Sequence, residues 1–189
     1  PVFEGCDLAG LTLKLDDARA ACKAWMPVMV ERAQKLFNIK MLAYGVNPPQ
    51  VVWCRAALGK LGDLKGRKTR VFNKTMSDFI QAIEGSTVSM PFAEVVPALQ
   101  RGVVDCAVTG SLSGNTAGWP EVSTHQMKII LGWSINYQSV NLDSWKRFGP
   151  EAQKFFEDEF AKFEDKMWET GHLADADADD CNFGYGKCD

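Results

Sequence analysis

The feature that most restricts how this chain can fold is a turn feeding a short strand at Asp63-Leu-Lys-Gly-Arg-Lys-Thr-Arg-Val71. Lys65-Gly66 is turn chemistry. Lys68 to Phe72 then alternates polar and apolar side chains, as a strand with one covered face does. Asn73, Thr75, Ser77 and Asp78 follow, and they suit a loop and a helix N-cap. Beyond them the pattern repeats. Ser77 to Glu84 reads as a helix ended by Gly85 and Thr87 to Met90 as a strand. Pro91 to Gln100 reads as a helix closed by Gly102, and Val103 to Val108 as a buried strand. Pro97 should kink that second helix or shorten its first turn. Such alternation describes an α/β sheet. In open sheets of this class ligands collect outside the carboxyl ends of the strands. Two junctions qualify. One carries Arg70, whose guanidinium can offer a fork of donors to a carboxylate. The other is the small, polar run Thr109-Gly-Ser-Leu-Ser-Gly-Asn115. On position alone, a surface ion pair is the commoner role for such an arginine.

The flanking segments are less regular. Residues 1–15 carry Gly5, Gly10 and alternating leucines. Asp16-Asp17 caps a helix over about 17–37 with an apolar stripe of Ala18, Ala21, Cys22, Trp25, Met29, Ala33 and Leu36. Pro27 should kink or split it. Met41 to Tyr44 reads as a strand, broken by Gly45-Val-Asn-Pro-Pro-Gln50 and resumed from Val51 to Arg55. Val122 to Leu131 reads as extended, Gly132-Trp133 as an interruption, and Ser134 to Val140 as a strand. Pro150 opens a long helix to about Glu169, with Phe155, Phe156, Phe160, Phe163 and Trp168 as its buried face. The acidic run Ala174 to Asp180 lacks the glycine and terminal glutamate of a calcium loop and reads as solvated tail.

Several function classes are disfavoured. A net charge of −3 and a pI near 5.5 oppose nucleic-acid binding, which needs a basic face. No apolar run approaches the roughly 18 residues that span a bilayer. The start at Pro1, with no signal peptide, reads as processed or truncated. The six cysteines contain no C-x-x-C, and only His125 and His172 could assist, so no zinc site is expected. Cys22, Cys54 and Cys106 sit in apolar contexts and read as packed small hydrophobes. Cys181 and Cys188 flank a glycine-rich loop. A local disulfide there and two unrelated thiols near a frayed end carry about equal weight. There is no phosphate-binding or dinucleotide-binding glycine loop. No serine stands at a nucleophile elbow. The chain therefore reads as a binder rather than an enzyme, with no cofactor or metal.

Taken together, the motifs carry a resemblance. Asp63 to Val71 resembles the DLKG-x-K-x-R signature of TRAP-transporter solute-binding proteins. Met90-Pro-Phe-Ala-Glu-Val-Val-Pro-Ala-Leu-Gln-Arg-Gly-Val-Val-Asp105 resembles the MPFSEVYTALQ-x-GVVDG stretch that follows it in that family. The long helix from Pro150 also matches, and Asn47-Pro-Pro-Gln50 more loosely resembles a hinge-side loop. The resemblance implies two α/β lobes joined by a hinge, the periplasmic-binding-protein-like fold, here with an incomplete first lobe. By that resemblance the N-terminal βαβ units and the C-terminal spanning helix would be missing from these 189 residues. Residues 1–46 and 136–172 would belong to lobe one, 47–135 to lobe two, and 173–189 to a tail.

The implied function is a periplasmic receptor that captures an organic carboxylate and delivers it to a membrane permease driven by an ion gradient. Arg70 falls on the family's carboxylate-binding arginine, and Phe92 on the aromatic that packs against ligand. Thr109 stands where the family often has Asn, with Gly110, Ser111 and Asn115 beside it as donors. Gln50 occupies the distance at which a second arginine is common, while Arg55 is displaced. Trp53, Phe72, Phe92 and Trp133 would supply apolar walls. Two other readings stay open. One is a degenerate receptor fragment acting as an interaction module. The other is a hydrolase on a similar fold, which would need Ser111 or Cys106 paired with His125.

Overall fold

The computed structural model describes residues 2–171 and 173–185. After an irregular start comes α1 (Leu15–Phe37), then β1 (Ile39–Val46) and β2 (Gln50–Cys54). The signature stretch gives a single 3-10 turn over Leu61–Leu64, with the Asp63 carboxylate accepting from the backbone of Gly59 and Lys60, and then β3 (Lys68–Val71). Next are α2 (Lys74–Ala82), β4 (Ser86–Ser89), α3 (Val95–Gln100), β5 (Cys106–Gly110) and α4 (Ser111–Thr116). The chain continues through β6 (His125–Met127), β7 (Ile135–Asn141), α5 (Leu142–Trp145), α6 (Pro150–Thr170) and α7 (Leu173–Phe183).

Two sheets form. The larger runs β4-β3-β5-β2-β6. Its first three strands are parallel, and β2 lies antiparallel to both β5 and β6. Side chains of β2 alternate between its faces. Val52 and Cys54 pack with Leu64, Val71, Met76 and Ile80 under α2. Val51 and Trp53 pack with Val95, Leu99 and Trp119 on the α3 side. The smaller sheet is the antiparallel pair β1–β7. A third cluster of Cys6, Ala18, Cys22, Val46, Trp133 and Trp168 ties it to α1 and α6. The sheets are joined by two crossings, residues 47–49 and 128–134. The carboxyl ends of β3 and β5 and the start of β2 share the edge that faces those crossings, since Gln50 pairs with Gly110.

Several expectations from sequence are corrected. Cys22, Cys54 and Cys106 are buried, but as disulfides: Cys6–Cys22 and Cys54–Cys106. Cys54 and Cys106 face one another across the β2–β5 ladder, an apposition that 52 residues of separation hide from sequence. The expected Cys181–Cys188 bridge lies outside the described residues. Pro27 neither splits nor ends α1. It lies with Lys23 on the exposed face, where the loss of one helical hydrogen bond costs least. The acidic run read as tail lies within α7, where Ala178 and Asp179 are buried. On α6, Trp168 is buried, but Phe155 and Phe163 are exposed at 60% and 46%. The loop expected over Ser111–Asn115 is the short helix α4, and the extended run after Val122 reduces to β6. Pro97 does shorten its helix: Phe92–Glu94 is a 3-10 turn and α3 begins only at Val95.

Candidate functional site

A cavity of about 420 Å³ opens at the shared edge of the larger sheet. Arg70, Phe72 and Phe92 form one side of it, and Gln50 and Thr109 its floor. Ser113 and Thr116 of α4 and Asn47 and Ser134 of the two crossings complete it.

Arg70 points from β3 and is only 3% exposed. Nε and Nη2 both donate to the Met90 carbonyl, at 3.2 and 3.1 Å, and Nη1 donates to the Val108 carbonyl at 3.0 Å. A guanidinium carries five N–H donors, so one on each Nη atom remains available. The guanidinium carbon lies 5.7 Å from the Phe72 ring centre and 6.0 Å from that of Phe92, within cation–π range. No carboxylate pairs with Arg70 among the described residues. Burial lowers its pKa to about 10, which leaves it a cation at neutral pH. A buried charge without a counterion is costly unless something compensates it. Carbonyls and ring faces supply part of that compensation, and Arg70 also lines the cavity.

The Met90-Pro91-Phe92 segment serves this arginine twice. The Met90 carbonyl fixes the guanidinium. Pro91 then holds the chain extended, so that Phe92, 42% exposed, presents one ring face to the cavity. The other face stacks on buried Trp119, with centroids 5.5 Å apart.

The crossings are cross-linked. Asn136 Nδ2 donates to Asn47 Oδ1 at 2.8 Å, and the Gln50 backbone N–H donates to the Gly132 carbonyl at 2.8 Å. Ser134 adopts a left-handed φ of 49°, unusual for a residue with a Cβ. Asp7 braces this segment by accepting from the Trp133 N–H at 2.7 Å.

Of the residues nominated from sequence, the cavity gathers Arg70, Phe72, Phe92, Gln50 and Thr109. Gly110 sits behind the Gln50 side chain at the α4 N-cap. Trp53 is packed against Trp119, and Trp133 lies in the third cluster with Trp168. Ser111 is buried and accepts from Gln126, while Asn115 donates to Asn182. These four, like Gly110, do not line the cavity. Sequence reading missed Asn47, Ser113, Thr116 and Ser134. Asn47 and Ser134 sit on the crossings, and a cleft between two sheets is necessarily walled by the segments that join them. Neither nucleophile weighed for a hydrolase meets His125: Cys106 is in a disulfide, and the His125 ring bonds Thr124.

These features define an α/β protein of the periplasmic-binding-protein-like class, with a cation at the strand ends. Residues 20–180 match the bacterial extracellular solute-binding protein family 7, DctP, and the chain belongs to that family. It is a family of solute-binding receptors rather than enzymes. A curated but uncharacterised protein of Haemophilus influenzae is 28% identical over 164 residues, 85% of this chain and 50% of that protein. A TRAP periplasmic solute-binding protein of Haemophilus influenzae with bound L-gulonate superposes with a TM-score of 0.90 at 25% identity, over 99% of this chain and 62% of that one. A Bordetella pertussis extracytoplasmic solute receptor binding pyroglutamic acid gives 0.91 at 21% identity, over 98% and 62%. The chain thus spans about half to two-thirds of the length of these relatives. Among the described residues, no helix is long and apolar enough to cross a membrane.

Proposed function

We propose that this chain is the ligand-recognising part of a TRAP-type extracytoplasmic receptor and captures an organic carboxylate through Arg70. The observation that carries this reading is a buried guanidinium with no acidic partner among the described residues and one spare N–H on each Nη atom. A carboxylate docked end-on would take both and neutralise the charge in a poorly screened setting. Residues 47–135 act as the lobe that bears the arginine. Residues 1–46 and 136–172 belong to the opposing lobe, and the crossings serve as the hinge that closes over ligand. The loaded receptor delivers its cargo to a membrane permease. The two disulfides among the described residues fit an oxidising compartment and so the periplasm.

The test is calorimetric titration of small carboxylates against the wild-type chain and two variants. Arg70→Ala should abolish binding while leaving the fold intact. Arg70→Lys should bind at least ~10-fold more weakly, because a point charge cannot replace the fork. Unchanged affinity in Arg70→Ala refutes the assignment.

A second reading is favoured by the exposed Phe155 and Phe163 on α6: an interaction module whose apolar helix face meets a partner. Native mass spectrometry showing a dimer, lost in Phe155→Ser/Phe163→Ser, together with no carboxylate binding, would select it.

A further inference from the structure

The end of the larger sheet away from the Arg70 cleft holds another cavity of about 420 Å³, lined by Arg55, Ala56, Arg67 and Asp105. It lies where β2 ends and β3 and β5 begin. Arg55, displaced by its spacing from the ligand position, falls here, about 17 Å beyond Gln50 at the rise of an extended strand. Asp105 stitches the three strand ends together. Its backbone N–H donates to the Lys68 carbonyl at 2.8 Å, its carbonyl accepts from the Arg55 N–H at 3.0 Å, and its Oδ2 accepts from the Lys68 N–H at 2.8 Å. Its Oδ1 has no hydrogen-bond partner among the described residues.

The two guanidinium groups are presented differently. Arg67 is fixed by the main chain: Nη1 donates to the Ala56 carbonyl at 3.2 Å and Nη2 to the Ala57 carbonyl at 2.6 Å. Three of its five N–H groups are left over. Arg55 donates none of its own side-chain N–H groups to the described residues. Its Nη1 lies against Gly102, where a Cβ would stand only 2.7 Å away. Neither arginine has a carboxylate within ion-pairing distance among the described residues. Nearby Glu84 pairs with Lys65, and the Asp63 carboxylate takes the Gly59 and Lys60 N–H groups and senses Arg67 only through space.

We infer that this cavity is an anion site for free hydrogen phosphate. The inference is independent of the carboxylate reading of Arg70. Two arginines rooted on different strand ends offer more donors than the two in-plane oxygens of one carboxylate take up. A tetrahedral oxyanion carries oxygens on every side and suits two forks. Asp105 decides which oxyanion. As a carboxylate oxygen, Oδ1 accepts and does not donate, so an anion without a proton meets a repelling charge there. Hydrogen phosphate keeps an O–H, which donates to Oδ1 while its other oxygens accept from Arg55 and Arg67. Sulfate has no such proton, and a phosphomonoester, with a second pKa of about 6, has lost its own at pH 8.

The test is calorimetric titration of the full chain at pH 8 with sodium phosphate, sodium sulfate and glycerol 2-phosphate. Wild type and Arg70→Ala are both used, so that binding in the cleft is separated from binding at the far end. Phosphate affinity should agree within ~2-fold between them, with sulfate and glycerol 2-phosphate at least ~10-fold weaker. Arg55→Ser removes no side-chain bond to the described residues, and should weaken phosphate at least ~10-fold with the melting temperature unchanged. Asp105→Asn keeps an acceptor for the Lys68 N–H and replaces Oδ1 by a donor, and should bring sulfate within ~2-fold of phosphate. Phosphate binding that vanishes in Arg70→Ala, or that Arg55→Ser leaves unweakened, overturns the inference. So does sulfate or glycerol 2-phosphate matching phosphate in the wild type, sulfate still rejected by Asp105→Asn, or no phosphate binding at all. Each of these failures leaves the carboxylate reading to its own titration.

Discussion

The two halves of the molecule solve burial differently. The five-stranded sheet is covered on both faces, and each face has its own core, one under α2 and one under α3. The charged group set into it, Arg70, is surrounded by that core and held by two carbonyls. The β1–β7 half has only two strands, and two strands cannot shield a hydrophobic face by themselves. It gains cover from the N-terminal segment, α1 and α6, but Leu36, Phe37, Phe155 and Phe163 remain exposed. The larger sheet carries the buried cation, and the crossings rather than the smaller sheet complete its cavity. Precise placement of a guanidinium needs locked neighbours.

The largest expected break in this comparison comes from the disulfides. Replacing Cys54 and Cys106 by Ala should cost on the order of 4 kcal/mol, and replacing Cys6 and Cys22 on the order of 3 kcal/mol, because the first closes the longer loop. Denaturant melts of the two double variants check the order. Removal of the α2 cap comes next. Asn73 Oδ1 accepts from the Met76 N–H at 2.9 Å, and Asn73→Ala should cost about 1 kcal/mol in the same assay.

A smaller, pH-dependent effect belongs to the seam between the halves. Burial raises the Asp7 pKa above its ordinary value, and nearby Glu4 adds to the shift. The native state therefore holds this proton more tightly than the unfolded chain does. The resulting stabilisation is complete below the ordinary carboxylate range and is lost as pH rises through the raised value. Asp7→Asn keeps an acceptor for Trp133 and removes the titration. Its stability should fall less than that of the wild type as pH climbs from 3 to 7, as urea melts along that range can measure. The smallest effect is expected on the open face of the smaller half. Phe155→Ser and Phe163→Ser should each change stability by no more than about 0.5 kcal/mol, in contrast to a cost of about 2–5 kcal/mol for Ile80→Ala in the larger core. A large loss from either serine variant would mean that face is covered in solution.

Much of the larger half was legible because its signals are local. Lys65-Gly66, the alternation through Phe72, and the Gly85 and Gly102 stops each act within a few residues. They place β3, α2, β4, α3 and β5 within a short margin. The signature containing Arg70 likewise names the cation in advance. Partnerships between distant segments were not legible. Nothing near Cys54 announces Cys106, and nothing near Trp133 announces Asp7. The aromatics illustrate the same limit. Phe72 and Phe92 reach the cavity, whereas Trp53 and Trp133, equally plausible by type, are turned into the cores by strand pleat and cluster packing.

By itself, then, the sequence determined the alternation of elements, the family motifs and the strand end at which a cation would stand, because propensity, capping and turn chemistry are short-range. Only the tertiary structure decided that Arg70 is buried without a carboxylate partner among the described residues and that Asn47 and Ser134 of the crossings join its cavity. It alone placed Asp7 against the Trp133 backbone. Those facts depend on which surfaces exclude water from one another, and burial of that kind is a property of the packed whole.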